Sequence, residues 1–243
     1  MEPREEDDER TRVEEAYGAY RTSRRKRRAW SRHNRGNRAM HAELADVIWR
    51  AGGRHLTGDA GATGRVLDAG CGTGQWLVEL IQRGVAPGRL HGVDILPERV
   101  EAARGRTAAA VEQGGGEAKV ELRDSDLRDL PYPDSYFDAV LLIVVLSSLA
   151  SREDALRALR EIKRVTCPGG VVIVYEPRHR SPNRRTLHVP PALVGEILGP
   201  VSLQPVTVWP PLARRLGRLT DRLYPRLSGR RSMTSHAVTV HRV

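Results

Sequence analysis

The stretch Val66-Leu67-Asp68-Ala69-Gly70-Cys71-Gly72-Thr73-Gly74 constrains this chain more than any other. Four residues suited to a buried strand run into a turn with glycine at every second position, and a helix-forming run begins at Gln75. Glycine lets the backbone enter conformations that side chains forbid, and lets a ligand approach the main chain closely. The first turn of the next helix offers unpaired N–H groups. Together they place a nucleotide-like ligand at the carboxyl end of the first strand of an open α/β sheet.

The chain repeats this strand-to-helix order as far as Glu176. Strands are expected at 65–69, 90–94, 119–123, 137–146 and 171–176, with helices at 75–83, 97–111 and 152–165 between them. Such alternation implies a parallel sheet with helices on both faces. The end of the chain departs from it. Residues 201–208 and 235–243 read as extended pieces joined by a basic, partly helical insertion at 210–227, which suggests an antiparallel pair closing one edge. Before the first strand, 11–38 reads as polar and helical, and Met40, Leu44, Val47, Ile48 and Ala51 mark an amphipathic helix. Residues 52–64, rich in glycine and small polar residues, read as a linker. The expected division is a helical cap or lid at 1–51, the linker at 52–64, and a ligand-binding domain at 65–243.

Composition narrows the function. The longest apolar run, Ala139–Leu146, is far short of the ~20 residues a membrane helix needs. An acidic start with no apolar run behind it and two cysteines 96 positions apart point to a reduced, cytoplasmic setting. Scattered histidines argue against a metal site. The net charge of +10 is uneven: residues 1–38 hold 12 basic and 8 acidic groups, 39–177 hold 16 and 20, and 178–243 hold 12 and 2. The runs Arg24–Arg28 and Arg178–Arg185 would suit phosphates, but with 11 aromatics in the chain and none interleaved there, platforms for stacking bases are scarce. Nucleic acid is therefore not the expected partner, and the oligomeric state is open.

Three aspartates stand where the strands end: Asp68 in the first, Asp94 at the end of the second, and Asp126 just past the third. A carboxylate takes two donors of a diol together, and an exocyclic amine needs an acceptor. Acidic groups also suit a cationic ligand and would repel phosphates. A dinucleotide site would show G-x-G-x-x-G, whereas here Gln75 and Trp76 follow Gly74 and the third glycine is out of register.

From about Arg65 to Glu176 the chain closely resembles the class I S-adenosyl-L-methionine-dependent methyltransferases, in particular the type 11 group. The resemblance rests on the glycine turn, Gly92-Val93-Asp94-Ile95, Ser125-Asp126-Leu127-Arg128-Asp129-Leu130-Pro131, Phe137-Asp138-Ala139-Val140 and Pro168-Gly169-Gly170, in that order. It implies a Rossmann-like, doubly wound, mostly parallel seven-stranded sheet with an antiparallel C-terminal edge hairpin. It also implies a cofactor set: Asp68, Gly70, Cys71, Gly72 and Gly74 around the methionyl end, Asp94 and Ile95 at the ribose, Ser125, Asp126 and Leu127 at the adenine, and Ile143 beside them. The function so implied is methyl transfer to a small-molecule acceptor, such as a metabolite or a glycan-pathway intermediate in bacterial biosynthesis. The alternatives are an RNA-directed enzyme and a non-catalytic binder of the same cofactor.

Methyl transfer from a sulfonium is an in-line displacement, for which the protein positions the partners and excludes water. A base is needed only where the acceptor gives up a proton. By the resemblance His33, His179, His188, His236, Glu176 and Tyr20 fall near the substrate mouth, with no choice among them. After the fourth strand, Ile143-Val144 replaces the stretch expected of enzymes acting on nucleobase amines, and Ser147-Ser148 stands where relatives often have a histidine pair. Trp30, Tyr17 and Tyr20 are lid candidates.

Overall fold

The computed structural model describes residues 9–15, 31, 33–57, 64–181, 183 and 186–243. Tyr17, Tyr20, Trp30, the run Arg24–Arg28, and Arg184 and Arg185 of the second basic run lie outside the described residues.

Seven strands form one sheet in the order β3-β2-β1-β4-β5-β7-β6. They are β1 (Val66–Ala69), β2 (Leu90–Asp94), β3 (Glu121–Asp124), β4 (Phe137–Ile143), β5 (Thr166–Pro177), β6 (Ser202–Val208) and β7 (Thr234–Arg242). The first five run parallel, and β7 lies antiparallel between β5 and β6. The chain order reverses at β1, between β2 and β4, which is where open α/β sheets bind ligands.

Alternate residues of each central strand feed opposite faces. In β4, Ala139 and Leu141 join one core with Leu44 and Ile48 of α1 (Arg35–Gly52), Leu77 and Leu80 of α2 (Gln75–Gln82), and Val100 and Ala103 of α3 (Pro97–Gln113). Val140 and Leu142 join the other, with Ala158, Leu159 and Ile162 of α4 (Arg152–Val165) and Leu193 of α5 (Pro191–Leu198). The period of two in the strands and of 3.6 in the helices accounts for the layers.

Several boundaries differ from those the sequence suggests. The strand expected to reach Leu146 stops at Ile143, because Val144 takes φ 57° and Leu146–Ser148 winds into a 3-10 turn. The apolar run conceals that stop: Val145 leaves the strand direction to lie over Gly70, where an added Cβ would come within 2.3 Å of Val145 Cγ2. β5 starts five residues early, at Thr166, directly after α4. Within the segment read as a linker, Arg54–Thr57 is helical and Leu56 is wholly buried. Arg89 donates to the carbonyls of His55, Leu56 and Gly64, tying this segment to the sheet domain. The expected helix over 11–38 is interrupted: residues 9–15 are helical, and Asn34 caps a new helix by accepting from the amides of Gly36 and Asn37.

The helix α1 is fixed to the antiparallel edge through Glu43. Its Oε2 accepts from the amide of Thr207 at 2.9 Å and from the Tyr224 hydroxyl at 2.7 Å. Burial raises the Glu43 carboxyl above the ordinary range.

Candidate functional site

The sheet's carboxyl edge places the expected residues round the β1–β2–β4 switch. A cavity of about 190 Å³ opens there, and Gly70, Asp94, Ile95, Ser125, Asp126, Leu127 and Ile143 all form part of its wall. Asp68, Cys71, Gly72 and Gly74 are not on that wall. Gly72 acts through its amide, which donates to Asp94 Oδ2 at 2.8 Å, while the Leu96 amide donates to Asp94 Oδ1 at 3.1 Å. The carboxylate at the end of β2 is thereby locked to the glycine turn. The Cys71 thiol, pushed up chiefly by burial, sits in the core beneath Gly92.

Asp68 is the electrostatic anomaly of the site. It is buried, and its Oδ2 is sealed from solvent without a hydrogen-bond partner among the described residues. Desolvation, and then the neighbouring charge of Asp94, push its carboxyl up to about 7. A buried polar atom left unpaired costs on the order of 1–3 kcal/mol, so a partner supplied by a ligand would be favoured.

Asp126 is held differently. Arg128, two residues on, reaches back with Nε 3.0 Å from Oδ1 and Nη2 2.7 Å from Oδ2, and its amide donates to Oδ1 at 2.7 Å. The same guanidinium bonds Asp154 Oδ1 at 2.7 Å, at the start of α4 where Ser151 caps the helix. Both Asp126 and Arg128 are almost wholly buried. Arg128 Nε also lies 3.1 Å from Oδ2, so each oxygen of the Asp126 carboxylate accepts from two donors of Arg128.

Part of the wall was not legible in the sequence. Arg99 lies 3.6 Å from Asp94 Oδ2. Val144, Val145, Ser148 and Leu149 enter through the turn after β4, and Glu9 and Val13 enter from the far end of the chain. Arg12 ties that N-terminal helical stretch down by pairing with Glu9 and donating to the carbonyl of Ser148. A solvated polar helix and a packed one carry the same pattern over seven residues, so only tertiary contact reveals the role.

The base candidates separate. His179 stacks on Trp209, and His236 stacks on Tyr175 with Nδ1 2.8 Å from Ser235 Oγ. Burial lowers His236 to about 4. The Nδ1 of His33, at 3.1 Å, faces the Ser31 hydroxyl on the surface. Glu176 is buried at the end of β5, where its Oε1 accepts from the Ser147 amide at 3.3 Å, and desolvation raises it to about 7. It faces a small hollow under α5 rather than the main cavity. His188 lines a second cavity beside the first.

Known proteins match this architecture. The family model described as "Methyltransferase domain" covers residues 67–174. Among curated relatives, ajmaline N-methyltransferase of Rauvolfia serpentina is 35% identical over 124 residues, half of this chain and 40% of that protein. Demethylmenaquinone methyltransferase of Staphylococcus aureus is 32% identical over 112 residues, 46% of this chain and 42% of that protein. The chain thus spans less than half the length of these relatives. Of solved structures, the N-methyltransferase NodS from Bradyrhizobium japonicum, in complex with S-adenosylhomocysteine, aligns with a TM-score of 0.63 at 14% identity, covering 95% of this chain and 98% of that one. The [4+2]-cyclase SpnF aligns at 0.57 and 24% identity, over 82% and 80%. Both likenesses concern the fold, which hosts more than one chemistry. Residues 67–174 thus match the methyltransferase domain model, and the sheet that carries them has the fold of NodS.

Proposed function

We propose that this chain binds S-adenosylmethionine in the 190 Å³ cavity and transfers its methyl group to a small-molecule acceptor. The observation that carries the reading is the set of three buried carboxylates at successive strand ends, one of which, Asp68, has an unpartnered oxygen. The residues fit the group. Gly70 on the wall, with Asp68 buried off it, would lie at the methionyl end, Asp94 would face the ribose diol, and Asp126 with the Leu127 amide the adenine edge. When bound, the cofactor supplies an electrophilic methyl on a sulfonium. The chain's own residues orient it: Gly72 and Leu96 fix the Asp94 carboxylate through their amides, and Arg128 fixes Asp126. Val144, Val145 and Leu149 would exclude water from the reacting face. Holding two partners in line supplies on the order of 7–11 kcal/mol of the barrier.

Residues 9–15 act as a lid in this reading, supported by the place of Glu9 and Val13 on the wall and by the Arg12 contact to Ser148. The small-molecule acceptor is supported by the relatives named for ajmaline and demethylmenaquinone. The test is release of S-adenosylhomocysteine from S-adenosylmethionine across a panel of metabolites and RNA. Acceptor-dependent release with metabolites is expected. Tight cofactor binding with release only on RNA, or with none, would contradict the small-molecule assignment.

A further inference from the structure

The turn after β4 carries a strain that its neighbours must hold. Val144 takes φ 57°, a conformation that branched side chains avoid and that persists only where the surroundings enforce it. The same turn supplies Val144, Val145, Ser148 and Leu149 to the wall of the cofactor cavity, and Val145 packs over Gly70 on that wall. A shift of the turn would therefore reshape the cavity.

β5 grips this turn at two points. The Tyr175 carbonyl accepts from the Val144 amide at 2.8 Å, and one residue on, Glu176 Oε1 accepts from the Ser147 amide at 3.3 Å. Burial raises the Glu176 carboxyl, and the Ser147 side chain with the amides of Ser147, Leu146 and Val145 opposes that rise. Three successive amides thus act on one carboxyl, as they do in the backbone nests that receive anions. Other segments hang from the same turn. The Ser147 carbonyl accepts from the amide of Leu187, on the wall of the second cavity, at 2.9 Å, and the Ser148 carbonyl accepts from Arg12. Glu176 itself lines neither cavity, and its Oε2 is sealed from solvent without a hydrogen-bond partner among the described residues. For packing alone an apolar side chain would serve this place better. What the place requires is the oxygen that meets the amides.

We propose that Glu176 is a positioning residue: its oxygen, seated against the amides of the turn, holds Val144 in its strained form and Val145 over Gly70, and so keeps the cofactor cavity in its binding shape without touching the ligand. This role rests on the methyltransferase reading above. The amides need an oxygen acceptor rather than a charge, and a carboxamide side chain offers one.

The experiment uses the full chain, with S-adenosylhomocysteine as the probe in calorimetry and amide hydrogen exchange followed without ligand. Glu176→Met keeps the bulk of the side chain and removes both the oxygens and the cost of burying them, so it is expected to fold. It is expected to bind S-adenosylhomocysteine about tenfold or more weakly and to speed exchange of the amides at 145–147 about tenfold or more. Glu176→Gln is expected to stay within about threefold of the wild type in both. Val194→Ala opens the same hollow from α5, and is expected to lower the melting temperature at least as far as Glu176→Met while leaving the affinity alone. Affinity or exchange unchanged in Glu176→Met overturns the proposal, as does Glu176→Gln as impaired as Glu176→Met, or Val194→Ala as weak a binder. Failure of Glu176→Met and Glu176→Ala alike to fold also overturns it, since Glu176 would then support the fold as a whole. A wild type that binds no S-adenosylhomocysteine overturns the methyltransferase reading instead, and exchange at 145–147 still decides whether Glu176 holds the turn.

Discussion

At the scale of single residues the site is a study in how burial changes carboxylates. Asp68 sits near 7 because it is desolvated, with Asp94 adding repulsion. A folded-state value above the unfolded one means that the native protein holds the proton more tightly. Its contribution to stability is therefore greatest below about pH 4 and falls as pH rises through about 7. Asp68→Asn removes that loss, so the variant is expected to melt higher than the wild type at pH 8, with the difference shrinking at pH 5. Glu176, also near 7 by burial, contributes a slope of the same sign that remains in the variant. A ligand ammonium would lower the Asp68 carboxyl again, so cofactor affinity should rise with pH up to about 7 in the wild type. In Asp68→Asn it should be flat and about tenfold weaker. Calorimetry across pH checks both. Asp68, Asp94 and Asp126 were visible in the sequence because motif order fixes them at strand ends. Arg128 and Arg99 were not, since the sequence does not show that a charged side chain in a loop or on a helix folds back onto a particular aspartate.

Among elements, the strands and helices from β1 to α4 follow from pattern alone, because each carries a long run with one period. Their ends do not. Val144 and Val145 are as apolar as Leu142, and β4 ends where Val144 takes φ 57° and the chain winds into the 3-10 turn, with Val145 packed over Gly70. The contact between α1 and the C-terminal insertion is likewise tertiary. A Cβ on Gly36 would stand 2.1 Å from the carbonyl oxygen of Ala213, in α6 (Pro210–Arg215), while Asn34 and Asn37 bond Arg214 across the same interface. Gly36→Ala forces two backbones apart and is expected to cost about 1–3 kcal/mol, read as a lowered melting temperature. An unchanged melting temperature would mean that the two elements are not tightly docked.

For the whole molecule, the parallel sheet supplies a rigid edge, and chain segments distant in sequence complete the cavity over it. Among the described residues, no helix is long and apolar enough to cross a membrane. The N-terminal stretch meets the turn after β4 across 136 residues of chain, through Arg12 and the Ser148 carbonyl. Arg12→Ala is expected to change folding stability by no more than about 1 kcal/mol yet weaken S-adenosylhomocysteine binding several-fold. Protease cleavage near the N-terminus should then no longer be slowed by the ligand. The cofactor assignment meets its sharpest test in calorimetric titration of S-adenosylmethionine into the wild type and Asp94→Ala. One site per chain is predicted, with affinity falling on the order of 100-fold when the ribose carboxylate is removed. Equal affinity in the two proteins would contradict the assignment of this cavity.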